Sequence, residues 1–239
     1  MIKRLLEVPS IDWAGKFEKR AAMSAHPALK AFYQSGLPDG DTPLKDIRFM
    51  AMDFETTGLD YKDDSIISIG VVPFDLNRIY LREAQEWKVR PRKQLSEDSV
   101  VIHGITHSDL IDAPDFEDVI PEVLKSMQDV VTVVHYHHIE RRFLDHEFRS
   151  RYGDRVEFPL VDTMAIESNI QQRLNGGLIN RLKGKTTESL RLAKSRERYG
   201  LPTYSPHHAL TDAIATAELL QAQIHYNQWQ ESRIKEIWI

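Results

Sequence analysis

Residues 47–59 read IRFMAMDFETTGL, an apolar, β-compatible run that ends in two acids and a Thr-Thr-Gly turn. Side chains at i and i+2 leave a strand on the same side. Asp53 and Glu55 therefore project together from the strand's end, with Phe49 and Ala51 behind them on that side. Two acids in this position repel each other and lose hydration unless something offsets both costs. A divalent cation that prefers carboxylate oxygen, Mg²⁺ or Mn²⁺, would do so. Taken alone, an Asp-x-Glu pair is more often a solvated strand terminus than a metal site. Gly58, three residues on, lets a ligand approach the backbone closely.

Working outward, residues 1–35 carry Leu5, Trp13, Phe17, Ala21, Leu29 and Phe32 at near-helical spacing, with Pro9 and Pro27 as breakers. They predict a helical N-terminal extension. The turn formers of Ser35–Pro43 close it, so the chain divides into an extension (1–46), a main domain (47–230) and a tail (231–239). Two further strands are expected at Ser65–Asp75 and Tyr80–Val89, forming an antiparallel meander with the first. Asp115–Gln128 has a helical apolar face, and Val130–Val134 is a short apolar run of the kind found in buried central strands. Helices are expected at Ile139–Tyr152, Thr187–Arg198 and Ala209–Trp229. The order βββαβα followed by helices predicts an α/β fold, a mixed sheet covered by helices.

The bulk numbers set limits. Hydrophobic residues make up 41% and charged residues 28% of 239, a globular rather than a disordered balance. No apolar run approaches the roughly 18 residues that span a bilayer, and the short apolar stretch near the N-terminus is no signal h-region. Zero cysteines exclude disulfides and thiolate chemistry and fit a cytoplasmic location. A net charge of −5 argues against tight nonspecific duplex binding, which runs on phosphate neutralisation. A nuclease that holds metal with carboxylates can nevertheless be acidic overall.

The string DFETTGL, on a strand followed by Ile66-Ile-Ser-Ile-Gly70, resembles the first motif of the DEDDh 3′→5′ exonucleases. That family includes the proofreading epsilon subunit of bacterial DNA polymerase III, ribonuclease T and oligoribonuclease. Val101-Ile-His-Gly-Ile-Thr106 and Leu160-Val-Asp-Thr-Met164 resemble two further family segments. His207-His-Ala-Leu-Thr-Asp212 matches the third motif, in which a His precedes an Asp by five positions. The matches run in family order from about residue 48 to about 226. The second motif departs: where the family reads His-Asn-x-x-Phe-Asp, this chain reads His135-Tyr-His-His-Ile-Glu140. Glu140 then stands for the catalytic Asp and Tyr136 for the Asn. Asp145 lies about 140° further round the helix.

The resemblance implies a ribonuclease H-like fold and two-metal hydrolysis of phosphodiesters from a 3′ end, releasing nucleoside 5′-monophosphates. Asp53, Glu55 and Asp212 would hold one Mg²⁺ or Mn²⁺, Asp53 would bridge to a second, and Glu140 would complete the second ion's shell. His207 would accept the proton of the attacking water, a task suited to an imidazole with an ordinary pKa of about 6.5. Thr57, Gly58, His103 and Ile105 would hold the 3′-terminal nucleotide. The implied partner is a single strand or 3′ end, DNA or RNA, and no membrane. The N-terminal helices leave open a homodimer or a protein partner.

Other readings attach to several of these residues. In a regular helix His208, not His207, shares a face with Asp212. Asp162 reads as a structural residue holding a helix start. His135, His137 and His138 with Glu140 could form a zinc site, but zinc sites draw ligands from a separated second segment. The basic stretch Arg173–Lys185 is either a solvated loop or a track for a phosphate backbone. The alternative for the whole chain is a nucleic-acid-binding or scaffold protein on the same fold, weakened in catalysis by the altered second motif.

Overall fold

The computed structural model describes residues 11–92, 104–175 and 188–239. Its centre is β1, Phe49–Thr56, buried along nearly its whole length. β1 pairs antiparallel with β2, Ile66–Phe74, and β2 in turn with β3, Gln85–Lys88. On its other side β1 pairs parallel with β4, Val131–Val134, which pairs parallel with β5, Leu160–Asp162. The result is a five-stranded mixed sheet in the order β3-β2-β1-β4-β5.

Both faces of the sheet are covered. Phe49, Ala51, Val72, Phe74, Val131, Val133 and Val161 share a buried cluster with Ala213, Ala217, Leu220 and Ile224 of the helix Ala209–Tyr226. Against the other face, Met50, Met52, Phe54, Ile69 and Val71 meet Phe116, Val119, Val123 and Leu124 of the helix Phe116–Ser126 and Phe143, Leu144 and Phe148 of the helix His138–Tyr152. Strands buried on two sides read as nearly continuous apolar runs, which is why β1 and β2 are legible in the sequence.

In chain order the helices are α1 (Trp13–Met23), α2 (Pro27–Ser35), α3 (His107–Leu110), α4 (Phe116–Ser126), α5 (His138–Tyr152), α6 (Thr163–Asn175), α7 (Leu192–Arg198) and α8 (Ala209–Tyr226). Trp13 and Phe17 of α1, and Leu29, Phe32 and Tyr33 of α2, join the same buried cluster as Met50 and Met52. An Arg20–Glu157 ion pair and the Ser24–Asp154 hydrogen bond, 2.6 Å, fasten α1 to the segment after α5. The end of the chain lies along β5: Ile239 and Leu160 exchange backbone hydrogen bonds.

Several expected elements differ. Leu81–Glu83 is a 3₁₀ turn rather than the start of a strand. The hydroxyl of Tyr80 donates to Asp75 Oδ2 at 2.6 Å and pulls the chain into a tight turn there. The expected helix over 187–198 covers only Leu192–Arg198. β5 has no counterpart in the sequence reading, because a three-residue strand is too short to show a period; the helix start read at Asp162 is that of α6.

α8 crosses β2 at Gly70, where its first residues lie directly on the sheet. A Cβ at Gly70 would collide with the Ala209 carbonyl carbon and the Leu210 nitrogen. Backbone cannot yield as a side chain does, so overpacking here is expected to cost about 1–3 kcal/mol. Gly70→Ala is predicted to lower the urea midpoint accordingly while leaving far-ultraviolet circular dichroism unchanged.

Candidate active site

Gly70 is the register partner of Asp53. The close approach that Gly70 permits therefore brings the first turn of α8, with Asp212, over the end of β1. The β1–β2 register shifts between Glu55 and Thr56, an irregularity of the kind that re-aims side chains beside functional sites. On the third side, α5 begins just after β4 and carries Glu140 in its first turn.

The sequence-predicted acids meet here. Removal from water, then Glu140, Asp212 and Glu55 in that order, hold the Asp53 carboxyl well above the ordinary carboxylate range. Glu55, 7% exposed, is pushed up to about 8 by burial, Asp212 and Glu86. Burial also raises Asp212. Glu140, 2% exposed, is likewise held well above its usual value by burial, with Asp162 adding to it. Among the described residues no donor reaches Glu140 Oε2, and none of the four acids pairs with a lysine or arginine.

His207 belongs to this group. Ligand atoms of Glu55, His207 and Asp212 lie within 4.8 Å of one another, the only such set of metal-ligating side chains among the described residues. α8 starts at Ala209 with His208 as its N-cap, so His207 stands outside the helix. Its φ is +67°, rare for a residue with a side chain. Its backbone N–H donates to Asp212 Oδ2 at 2.7 Å. His208 points elsewhere, with Nδ1 3.7 Å from Glu86 Oε1.

The other candidates have definite places. Thr57 Oγ1 donates to Asp64 Oδ1 at 3.0 Å and accepts from the Ser65 N–H. Gly58 lies so close over the Asp64 carboxylate that a Cβ would strike it. Ile105 packs with Ile67, Leu110 and Ala113. His103, and most of the basic stretch up to Lys185, lie outside the described residues. Asp145 is bound to Arg149 and to the Val156 N–H, away from the cluster.

Asp162 does more than start a helix. Its Oδ1 accepts from the N–H groups of Met164, Ala165 and Tyr136, and its Oδ2 from the N–H and Nδ1 of His137. These bonds draw its pKa down to about 2 against the opposing effect of burial. One carboxylate thus caps α6 and holds the turn that leads into Glu140. His135 sits between Thr163 Oγ1 and the Leu190 carbonyl. Both ring nitrogens of His135 are thereby engaged, so His135 is not free to act as a zinc ligand. The sequence reading missed Glu86, which accepts from Ser68 Oγ at 3.0 Å. Only strand register brings it near Glu55, so no sequence spacing signals it.

The donor set suits a hard divalent cation. Glu55, His207 and Asp212 offer carboxylate oxygens and one imidazole, and Glu140, outside that set, keeps one buried oxygen without a donor.

A family model described as the RNase T exonuclease matches residues 50–220. The PolC-type DNA polymerase III of Thermotoga maritima is 31% identical over 179 residues, 75% of this chain but 12% of that protein. This chain therefore spans about an eighth of the length of that relative. The DNA polymerase III subunit epsilon of Treponema pallidum is 27% identical, with 77% of this chain and 80% of that protein covered. Among solved structures, cell-death related nuclease 4 aligns with a TM-score of 0.61 at 20% identity, over 77% of this chain and 65% of that one. The nuclease domain of 3′hExo, a DEDDh family member, aligns at 0.59 and 17% identity, covering 77% and 94%. E. coli Exonuclease I in complex with a dT13 oligonucleotide aligns at 0.57 and 16% identity, covering 75% and 41%. At these identities the structural likeness speaks for the fold.

The site's titration has a sign. For Glu55 the unfolded chain ionises near 4.5 and the folded one near 8, so between these values the folded state binds more protons. Stability then falls as pH rises through that window. Asp162 contributes oppositely, losing its stabilisation only as pH falls from 3.8 towards about 2. We predict that the metal-free protein's Tm declines from about pH 5 to about pH 8 and that Mn²⁺ reverses the decline. Glu55→Gln should flatten the profile and leave the metal-free protein more stable than wild type at pH 8, as read by differential scanning calorimetry.

Proposed function

Because this chain belongs to the RNase T exonuclease family, we propose that it is a metal-dependent 3′→5′ exonuclease acting on single strands or exposed 3′ ends. The observation that carries this reading is the convergence of Asp53, Glu55, Glu140 and Asp212 with His207 beside them and no lysine or arginine paired to the acids among the described residues. Such a cluster is costly to keep without cations, and a protein that merely bound nucleic acid would have no need of it.

Asp53, Glu55, Asp212 and Glu140 would hold the divalent ions. Bound there, two ions supply Lewis-acid activation of water and stabilisation of the leaving 3′-oxygen. The rest is done by the chain's own groups. The His207 imidazole takes the proton of the water that attacks phosphorus, and the P–O3′ bond breaks to leave a 3′-hydroxyl on the shortened strand. The released unit carries the phosphate as a nucleoside 5′-monophosphate. The positive φ of His207 and its N–H bond to Asp212 hold the imidazole beside Glu55 and Asp212. Thr57 and Gly58, in the loop braced by Asp64, offer backbone for the terminal nucleotide. Glu140 does the work of the family's shorter Asp from the first turn of α5. A substrate with a free 3′ end is supported by the name of 3′hExo and by the dT13 bound to Exonuclease I.

The test is 3′-end shortening of labelled single-stranded DNA and RNA with Mg²⁺ or Mn²⁺. Asp53→Asn is expected to lower kcat by about 10²–10³-fold and His207→Ala by about 10²–10⁴-fold, with His208→Ala near wild type. Glu140→Asp retracts the carboxylate by roughly 1.5 Å and should cost up to about 10²-fold. No shortening by the wild type at any length with either metal would leave a binding or scaffold protein as the better reading.

A further inference from the structure

The outward face of α5 carries a feature that the chemistry at Glu140 does not use. His138, Arg142 and His146 recur at i, i+4 and i+8, a ridge about 12 Å long opposite the buried Phe143, Leu144 and Phe148. Aromatic rings alternate with cations along it. At the end next to the carboxylates, the Tyr136 ring, 43% exposed, stands edge-on to His138 with centroids 5.1 Å apart. Farther along, Tyr61 lies under the Arg142 guanidinium at 5.7 Å and the Lys62 ammonium at 5.9 Å, with His146 at its edge.

Two observations set this face apart from an ordinary solvated helix. The other arginines of α5 are engaged: Arg149 with Asp145, Arg151 with Glu147 and Asp115, and Arg141 with the carbonyls of Phe158 and Ile239. Among the described residues the Arg142 guanidinium and the Lys62 ammonium meet no carboxylate; Asp60 accepts from the Lys62 backbone N–H, and Asp64 and Asp145 are bound elsewhere. Tyr136 also has a φ of +84°. Such a conformation is costly in a residue with a side chain, and the Asp162 bond to its N–H helps to hold it. The backbone is strained at the residue that leaves a large ring in solvent, four positions before Glu140.

Resting on the exonuclease reading, we propose that Tyr136, His138, Arg142, Tyr61, Lys62 and His146 form the track that carries the single strand away from the cleavage site. Unpaired bases stack on the rings while the cations neutralise phosphates, a combination that binds single strands with little sequence preference. In a protein of net charge −5, local unpaired cations beside rings are the part of the surface that can hold a polyanion. A duplex would not fit, because its bases are not free to stack.

The test is equilibrium binding by fluorescence anisotropy, without divalent ions, using labelled dT and rU oligomers of two, six and twelve nucleotides, alongside 3′-end shortening with metal. Tyr61→Ala and Arg142→Glu should weaken twelve-mer binding about tenfold or more, with the loss shrinking as the oligomer shortens. Tyr61→Phe and Arg142→Lys should restore most of it. Arg142→Ala should reduce the salt dependence by about 0.7 in slope, one phosphate contact on a single strand. Equal losses with dT and rU mean that the track reads no sugar; a loss confined to one assigns it to that nucleic acid. Folded variants, judged by Tm, that keep the wild-type length dependence and salt slope would overturn the track, as would a wild type that binds no oligomer. A wild type that binds as described but shortens nothing would refute the exonuclease reading and leave the track standing.

Discussion

Four carboxylates converge where β1 ends, and among the described residues no lysine or arginine is paired with them. That repulsion is the constraint around which the rest of the structure is arranged. A protein interior tolerates such a group only if the scaffold is stiff enough to hold the acids together and the site has a use for cations. The stiffness comes from a sheet buried on both faces, with β1 at its centre.

Three devices bring the groups of the site together from distant parts of the chain. Gly70 lets α8 lie on the backbone of β2, which sets Asp212 over Asp53. The Asp162 carboxylate gathers five donors from the start of α6 and the approach to α5. It thereby fixes the turn from which Glu140 enters. Arg196, 3% exposed, reaches Glu218, the Pro202 carbonyl and the Ala215 carbonyl, and ties the segment leading to His207 against α8. Asp162 and Arg196 satisfy buried polar groups while serving the placement of residues they do not touch.

Two of the four described non-glycine residues with positive φ fall in the same neighbourhood. Tyr136 and His207 both adopt positive φ, one just before Glu140 and the other just before α8. Strain at such points persists only where surrounding bonds over-determine it. Here Asp162 and Asp212 provide those bonds through backbone N–H groups. Asp212 thus serves as a member of the acid cluster and as the anchor of the histidine beside it.

Much was legible in the sequence because its signals are local. The apolar run ending in Asp53 and Glu55, the helical periods of α4, α5 and α8, and the ordered motifs through Asp212 depend on residues near each other in the chain. What lay beyond reach depends on pairing. β5 is three residues long and runs directly into α6, too short for any period to show. Glu86 approaches Glu55 only through β2–β3 register, and Gly70 matters only because α8, some 140 residues later, lands on it. The choice between His207 and His208 turned on where α8 begins, and helix starts are set by capping and packing as well as by residue type. The sequence by itself determined the kinds of groups at the site and the strand that carries the first two. Only the tertiary structure decided which groups face one another, because distance between chain-remote residues is set by packing.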